Sequence, residues 1–232
     1  MKINVMYEDQ YILIINKPAG LVVHPGAGNK TGTLLNFLLK KYNFLSVVPR
    51  AGIVHRLDKN TTGLMIIAKD IYTYYKMIDL IKKRKVVREY DAFISGILIQ
   101  GGIIDVPIMR DKNKKNRMMI HYKGKKAITN YKIIQHFHHN THVYLTLYSG
   151  RTHQIRVHML SIQHPVFGDT VYNFNMNDLK KKLFYFDYTF LQSFQRQALH
   201  ASHIKFLHPI TQCVIDCYLK LPKDMIELMQ YI

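Results

Sequence analysis

Gly52-Ile53-Val54-His55-Arg56-Leu57-Asp58-Lys59-Asn60-Thr61-Thr62-Gly63-Leu64 decides how the rest of the chain is read. A short apolar run, Ile53-Val54, delivers a polar knot, and a longer one, Leu64 to Ala68, carries the chain away. The pattern predicts strand, turn, strand, with Gly63 re-entering the second strand. Inside the knot one carboxylate, Asp58, stands among His55, Arg56 and Lys59. Cationic neighbours favour the ionised form, which suits a base or nucleophile rather than an acid. The plainer reading is an Asp that closes a turn through its own backbone. The knot alone leaves both open.

Composition narrows the field. With 232 residues, 48% hydrophobic and 21% charged, the chain describes a globular protein with ample core. No apolar run approaches the length of a membrane span, and Glu8 and Asp9 interrupt any signal-like start. A cytoplasmic protein without membrane attachment is expected. Cys213 and Cys217 are predicted to be reduced, buried small hydrophobes on one face of a late strand.

Lys and Arg number 33 against 15 Asp and Glu, a net charge of +18, which points to a polyanionic partner. The excess is clustered. Nine basic residues and one acid, Asp111, lie between Arg110 and Lys132, with further clusters at Lys82-Lys83-Arg84-Lys85 and Lys180-Lys181-Lys182. With 16 Tyr and 11 Phe available for stacking, RNA or single strands are favoured.

In chain order, Ile3–Tyr7 and Tyr11–Asn16 read as strands, and Lys17-Pro18-Ala19-Gly20 as a turn. Gly26 to Gly32 lacks the Lys-Ser/Thr pair directly after Gly that a phosphate-cradling loop needs, so it reads as a surface loop. Thr33 is predicted to cap a helix over 34–42, and Asp70 another running to about Lys85. The second helix has a predicted buried stripe of Ile71, Tyr74, Tyr75, Ile78 and Ile81. Residues 86–94 form a strand that carries Tyr90, then come a basic hairpin and strands over 126–135 and 142–148. His136, His138, His139 and His142 lack nearby Cys or carboxylate partners, and no metal site is expected. A segment over 180–190, strands over 198–207 and 213–219, and a short helix starting at Pro222 complete the chain. No repeat or linker stands out. One domain over 1–232 is the simplest organisation.

A second dense polar stretch is Gly150-Arg151-Thr152-His153-Gln154-Ile155-Arg156-Val157-His158. Thr152 can cap a helix with an apolar stripe of Ile155, Met159 and Ile162, and its basic N-terminus suits an anion. His153 and His158 do not share a helical face, which argues against paired metal ligands.

His55-Arg56-Leu57-Asp58, Arg88-Glu89-Tyr90, Gly150 to His158 and Leu199-His200-Ala201 occur in an order that resembles one family. That family is the large-subunit type of RNA pseudouridine synthase, and the likeness extends through Gly20 to Gly28 and Pro49 to Val54. The resemblance implies an α+β fold with a mixed, largely antiparallel central sheet and flanking helices. It implies isomerisation of specific uridines in large-subunit (23S) ribosomal RNA, with the nucleotide flipped from its stack. By resemblance Asp58 is the catalytic carboxylate, Tyr90 stacks on the uracil, and Arg156 pairs with the Asp. Arg56 fills the gap left by the flipped base, and His55, Arg151, His153 and Gln154 join it as RNA-binding residues. No cofactor or metal is implied. A monomer is expected, without the N-terminal S4-like domain that such enzymes often carry. Alternatives are a family member acting on other rRNA or tRNA uridines, a non-catalytic RNA-binding module, and a metal-dependent nuclease. The last needs clustered carboxylates, and the acids here are scattered.

Overall fold

The computed structural model describes residues 3–26, 28–114, 116–172 and 194–232. They fall into two compact units, one of 1–88 with 201–220, the other of 89–200 with 221–232. The Lys180 cluster and the 180–190 segment lie outside the described residues.

The first unit is built on β2 (Ile12–Lys17) and β3 (Thr62–Ala68), an antiparallel pair in which Ile14 faces Ile66 and Lys17 faces Gly63. Ile12 to Ile15 and Leu64 to Ala68 are buried on both faces. That explains why both strands read as unbroken apolar runs rather than as alternation. β1 (Asn4–Glu8) pairs with β2, and β10 (Leu199–Leu207) lies beside β3 and carries β11 (Val214–Tyr218) antiparallel to it. Two helices belong to this unit, and the second packs against β3. α1 (Leu34–Lys41) starts at a capping box in which the Thr33 hydroxyl and the Asn36 side chain each accept the other residue's backbone N–H. α2 (Ile71–Lys82) starts at Asp70, whose carboxylate accepts the Thr73 N–H at 2.8 Å.

The face that α2 buries is not the predicted one. Thr73, Tyr74 and Met77 are buried, while Ile71 and Tyr75 are exposed. Two candidate stripes, offset by about one residue, share Tyr74, and apolarity alone does not separate them. Ile53 and Val54 also depart from expectation. They form no ladder strand; Ile53 makes a single bridge to Ile67, after a tight turn over Pro49–Gly52. The cysteines differ as well. Cys213 precedes β11 and is exposed, and Cys217 is only half-buried, because the inward face of β11 is shielded mainly at Ile215.

The second unit holds the antiparallel run β4 (Val87–Ser95), β9 (Asn140–Leu147), β8 (Ile128–His136) and β5 (Gly102–Asp105). A small basic hairpin, β6 (Ile108–Arg110) and β7 (Met118–Ile120), stands apart from that sheet. Phe93, Phe167 and Phe194 pack with Met225, Leu228 and Ile232, which docks the terminal helix α4 (Lys223–Leu228). α3 (Gln154–Ser161) is buried from Gln154 through Met159, all the way round. It is a core helix rather than the amphipathic one predicted, and polar side chains on its inner faces must therefore find partners.

Candidate active site

The Asp58 loop is fastened at both ends by glycines that admit no side chain. Gly52 sits at φ +75°, where an added Cβ would lie 1.9 Å from the Ala68 carbonyl oxygen. Gly63 sits at φ +115°, where it would lie 2.2 Å from the Ala201 carbonyl oxygen. Only glycine lets these backbones approach so closely. Between them Val54 and Leu57 are buried and pin the loop to the core, while Arg56 is exposed and Asp58 is half-buried. The Asp58 carbonyl accepts the Thr61 N–H at 3.1 Å, so Asp58 heads a tight turn.

Two further anchors act on this loop. The His55 Nε2 accepts the Ile66 backbone N–H of β3 at 2.9 Å, so a neutral ring carries its proton on Nδ1. Burial, and then the Arg88 charge, push the His55 pKa down to about 3, which keeps that acceptor available. Lys17, fully buried at the end of β2, donates from Nζ to the carbonyls of Pro18 (2.7 Å), Leu21 (3.0 Å) and Lys59 (2.9 Å). One ammonium thus ties the Lys17–Gly20 turn to the residue after Asp58. The sequence marked Lys17 only as the opening of a turn.

In the second unit the sequence-predicted residues gather around α3. Its N-cap is His153 at φ +54°, not Thr152, and no side chain caps it. The helix is held to β8 by a chain of hydrogen bonds. His158 Nε2 donates to the Val106 carbonyl at 3.1 Å, and its Nδ1 pairs with the Thr129 hydroxyl at 2.9 Å. Burial lowers the His158 pKa, consistent with a neutral ring in this chain. The Gln154 amide donates to Thr129 Oγ1 and the Ile128 carbonyl, and its Oε1 accepts from the Ser149 hydroxyl and the Arg151 N–H. All four hydrogen-bonding positions of that amide are occupied. Its geometry is that of a brace for the loop, where RNA contact was expected.

Arg156 is 5% exposed and makes a bidentate pair with Asp169, from Nε to Oδ2 at 2.6 Å and from Nη2 to Oδ1 at 2.9 Å. Asp169 Oδ1 also accepts the N–H groups of Val171 and Tyr172. The buried Tyr172 ring lies 4.9 Å from the Arg156 guanidinium, and its hydroxyl meets His153 Nδ1 at 2.8 Å. Asp169 and Tyr172 went unnoticed in the sequence, where no pattern distinguishes them. Arg151 is exposed and donates from Nε to the Lys126 carbonyl at 3.1 Å. Tyr90 is buried on β4 opposite Leu145 of β9.

Among the four histidines set aside as ligands, His136 meets the Leu98 carbonyl and His142 pairs with the buried Asp91 at 2.6 Å. No group of three potential metal ligands converges among the described residues. No helix among them is long and apolar enough to cross a membrane.

A family model described as RNA pseudouridylate synthase matches residues 11–161. The chain belongs to the RNA pseudouridine synthase family. Among similar synthases, ribosomal large subunit pseudouridine synthase D of Buchnera aphidicola subsp. Schizaphis graminum is 51% identical over 232 residues, covering 99% of this chain and 73% of the relative. The Escherichia coli synthase of the same name is 46% identical, covering 98% and 70%. A solved synthase structure, Human RNA Pseudouridylate Synthase Domain Containing 4, is similar with a TM-score of 0.76 at 25% identity, over 98% of this chain and 92% of that one. The α+β fold and the enzyme class implied by the sequence motifs are those of a pseudouridine synthase.

Proposed function

We propose that this protein isomerises uridine to pseudouridine in large-subunit ribosomal RNA, with Asp58 as the catalytic carboxylate. The proposal rests on the 51% identity to a ribosomal large subunit pseudouridine synthase over nearly the whole chain. Further support comes from the engineering around Asp58: a half-buried carboxylate on a loop fixed by two glycines, a buried ammonium and a neutral histidine. Fixing a reacting group in this way removes orientational entropy from the barrier.

In the reaction the C1′–N1 bond breaks, the base turns, a C1′–C5 bond forms, C5 loses a proton and N1 gains one. The atoms and electrons balance within the nucleotide. Asp58 initiates cleavage, either by attack on the sugar or by removing a sugar proton. Tyr90 stacks on the uracil and Arg156 steadies the carboxylate, its guanidinium plane set by Asp169. Arg56 and Arg151, both exposed, with His153, contact RNA, whereas His55 and Gln154 act by holding the loops that present them. The net charge of +18 supplies phosphate attraction along the substrate. The enzyme is a cytoplasmic monomer in this proposal, which sedimentation of the purified protein tests.

Tritium release from RNA labelled at uridine C5, measured with EDTA present, tests the activity. Wild type releases label, and Asp58→Asn loses turnover while keeping RNA affinity, because affinity comes mainly from phosphate contacts. Near-normal release by Asp58→Asn would refute the assignment of the carboxylate. Mapping of pseudouridines in cells lacking the gene tests the substrate, and unchanged large-subunit rRNA rules it out.

A further inference from the structure

The basic hairpin in the second unit pairs β6 with β7 and, among the described residues, with no strand of the larger sheet. Its tip is shaped by Asp111, whose Oδ1 accepts the Asn113 and Lys114 N–H groups at 2.8 and 3.2 Å. Arg110, Lys112 and Lys114 are exposed around that turn. Three cations on a short ordered loop suit the phosphates of an RNA strand. The apolar residues of the hairpin, Ile108, Met118 and Ile120, pack with Val157 and Leu160 of α3 and with Tyr172.

Tyr172 is the polar joint in this seam. It is fully buried, and its hydroxyl accepts the Met118 N–H at 2.7 Å, where β7 begins. The same oxygen meets Nδ1 of His153, the N-cap of α3, at 2.8 Å. At the backbone end, the Tyr172 N–H donates to Asp169 Oδ1 at 3.0 Å, the oxygen that also accepts from Arg156 Nη2 at 2.9 Å. The guanidinium groups of Arg156 and of Arg117, on the hairpin, lie 4.9 and 5.3 Å from the centre of the Tyr172 ring. One buried residue is therefore bonded to the hairpin, to the start of α3 and to the ion pair that sets Arg156. Filling an apolar seam would need the ring and no hydroxyl.

We propose that Tyr172 is a positioning residue that transmits RNA engagement by the basic hairpin to Arg156. The inference rests on RNA being the ligand and on Arg156 serving the reaction. An RNA strand held at Arg110, Lys112 and Lys114 fixes the hairpin, and the bond from Met118 then fixes the Tyr172 ring. The ring and the Tyr172 N–H in turn hold Arg156 and Asp169 in one arrangement. The guanidinium is fully set only with RNA in place, and its orientation matters to the barrier as much as its charge does. RNA that binds without engaging the hairpin reacts slowly, so the hairpin selects substrate as well as anchoring it.

A double-mutant cycle tests the coupling, with Lys112→Gln and Lys114→Gln together as the tip variant and Tyr172→Phe as its partner. The probe is an rRNA stem–loop labelled at uridine C5, saturating for single-turnover tritium release and dilute for filter binding. The tip variant should lower the slope of log affinity against log salt by roughly 1.4–1.8, the value of two phosphate contacts. It should also slow the saturated rate roughly fivefold. Tyr172→Phe keeps the ring; it should slow the saturated rate about tenfold, the value of one hydrogen bond, and leave affinity within about twofold. In the combined variant the tip's loss of affinity persists, but the rate falls no further than in Tyr172→Phe. Rate losses that multiply would overturn the proposal, as would an unchanged salt slope in the tip variant. A saturated rate in Tyr172→Phe within about twofold of wild type would do the same.

A second arm needs no turnover. By NMR, RNA should slow hydrogen exchange of the Arg156 Nε–H, which donates to Asp169. The tip variant, saturated with RNA, should lose most of that slowing, and equal slowing in both proteins overturns the proposal. This arm leaves Tyr172 in place, so it decides the matter even where Tyr172→Phe fails to fold. A wild-type protein that shows the tip-dependent protection but releases no tritium would refute the proposed activity and leave the coupling standing.

Discussion

Asp169→Asn is the sharpest test of how the α3 site is held. The wild-type carboxylate takes two hydrogen bonds from Arg156, and the two side chains are 6% and 0% exposed, Arg156 and Asp169 respectively. Asn has the same shape and keeps an oxygen for the Val171 and Tyr172 N–H groups. It sets an NH₂ group against the Arg156 Nε–H, however, and removes the compensating charge. Breaking one side of a buried ion pair costs roughly 3–5 kcal/mol. Because the backbone contacts survive, the low end, about 3 kcal/mol, is the expectation. With a urea m-value of about 2 kcal/mol/M, the unfolding midpoint should fall by about 1.5 M. Circular dichroism follows the midpoint, and amide hydrogen exchange along α3 localises the loss. The double variant Asp169→Asn with Arg156→Met should regain part of the stability, since no orphan charge remains, but none of the activity. In the single variant, tritium release should drop at least tenfold with RNA affinity little changed. A midpoint within about 0.3 M of wild type, with α3 exchange unaltered, would show that Asp169 does not hold Arg156 in a buried pair.

His55→Gln keeps an oxygen acceptor for the Ile66 N–H but cannot titrate. The folded-state pKa of His55, about 3, lies below an unfolded value of about 6.5, so acid protonates the unfolded chain first. Wild type should therefore lose stability as pH falls from about 6.5 towards 3, by at most about 1.4 kcal/mol per pH unit from this group. His55→Gln should lose less over the same range in urea midpoints, and parallel acid slopes would discard the idea. Gly63→Ala forces a Cβ against the Ala201 backbone and should fail to give folded protein at wild-type yield. Gly20→Ala at φ +79° meets nothing within 4 Å and should cost only about 1 kcal/mol by thermal melting; equal losses would contradict the packing explanation. For Tyr90, Phe keeps the ring and Leu does not. A stacking role predicts a much milder loss of tritium release in Phe than in Leu, and equal losses would move the role to the hydroxyl.

The parts of this fold that local chemistry controls could be read from the residues. Thr33 and Asp70 cap their helices as their side chains require, and the apolar runs of β2 and β3 pair as buried strands. Choices settled by tertiary context could not. Whether α2 buries Tyr75 or Met77 depends on what lies beneath it. Gln154 and Arg156 stood out as polar residues at a helix start, but their burial became visible only when β8, Thr129 and Asp169 closed round them. Asp169 joins Arg156 across a loop 13 residues away and has no periodic signature. Lys17 read only as the opening of a turn, because a lone lysine carries no sign that three carbonyls will converge on it. The roles of Asp58 and Tyr90 came from family likeness rather than from spacing.

Lys17 has a further consequence, for covalent labelling. Amine acylation needs an uncharged, accessible nitrogen, whereas Lys17 is fully buried and its ammonium donates to three backbone carbonyls. Most of the surface lysines will react at rates set by their own basicity. Lys17 will react only after β2 and the Asp58 loop part from each other, so its acylation rate under native conditions counts openings of the catalytic loop. A clock of this kind needs no substitution and no probe attached to the protein. It can be read by peptide mass alone, with and without RNA.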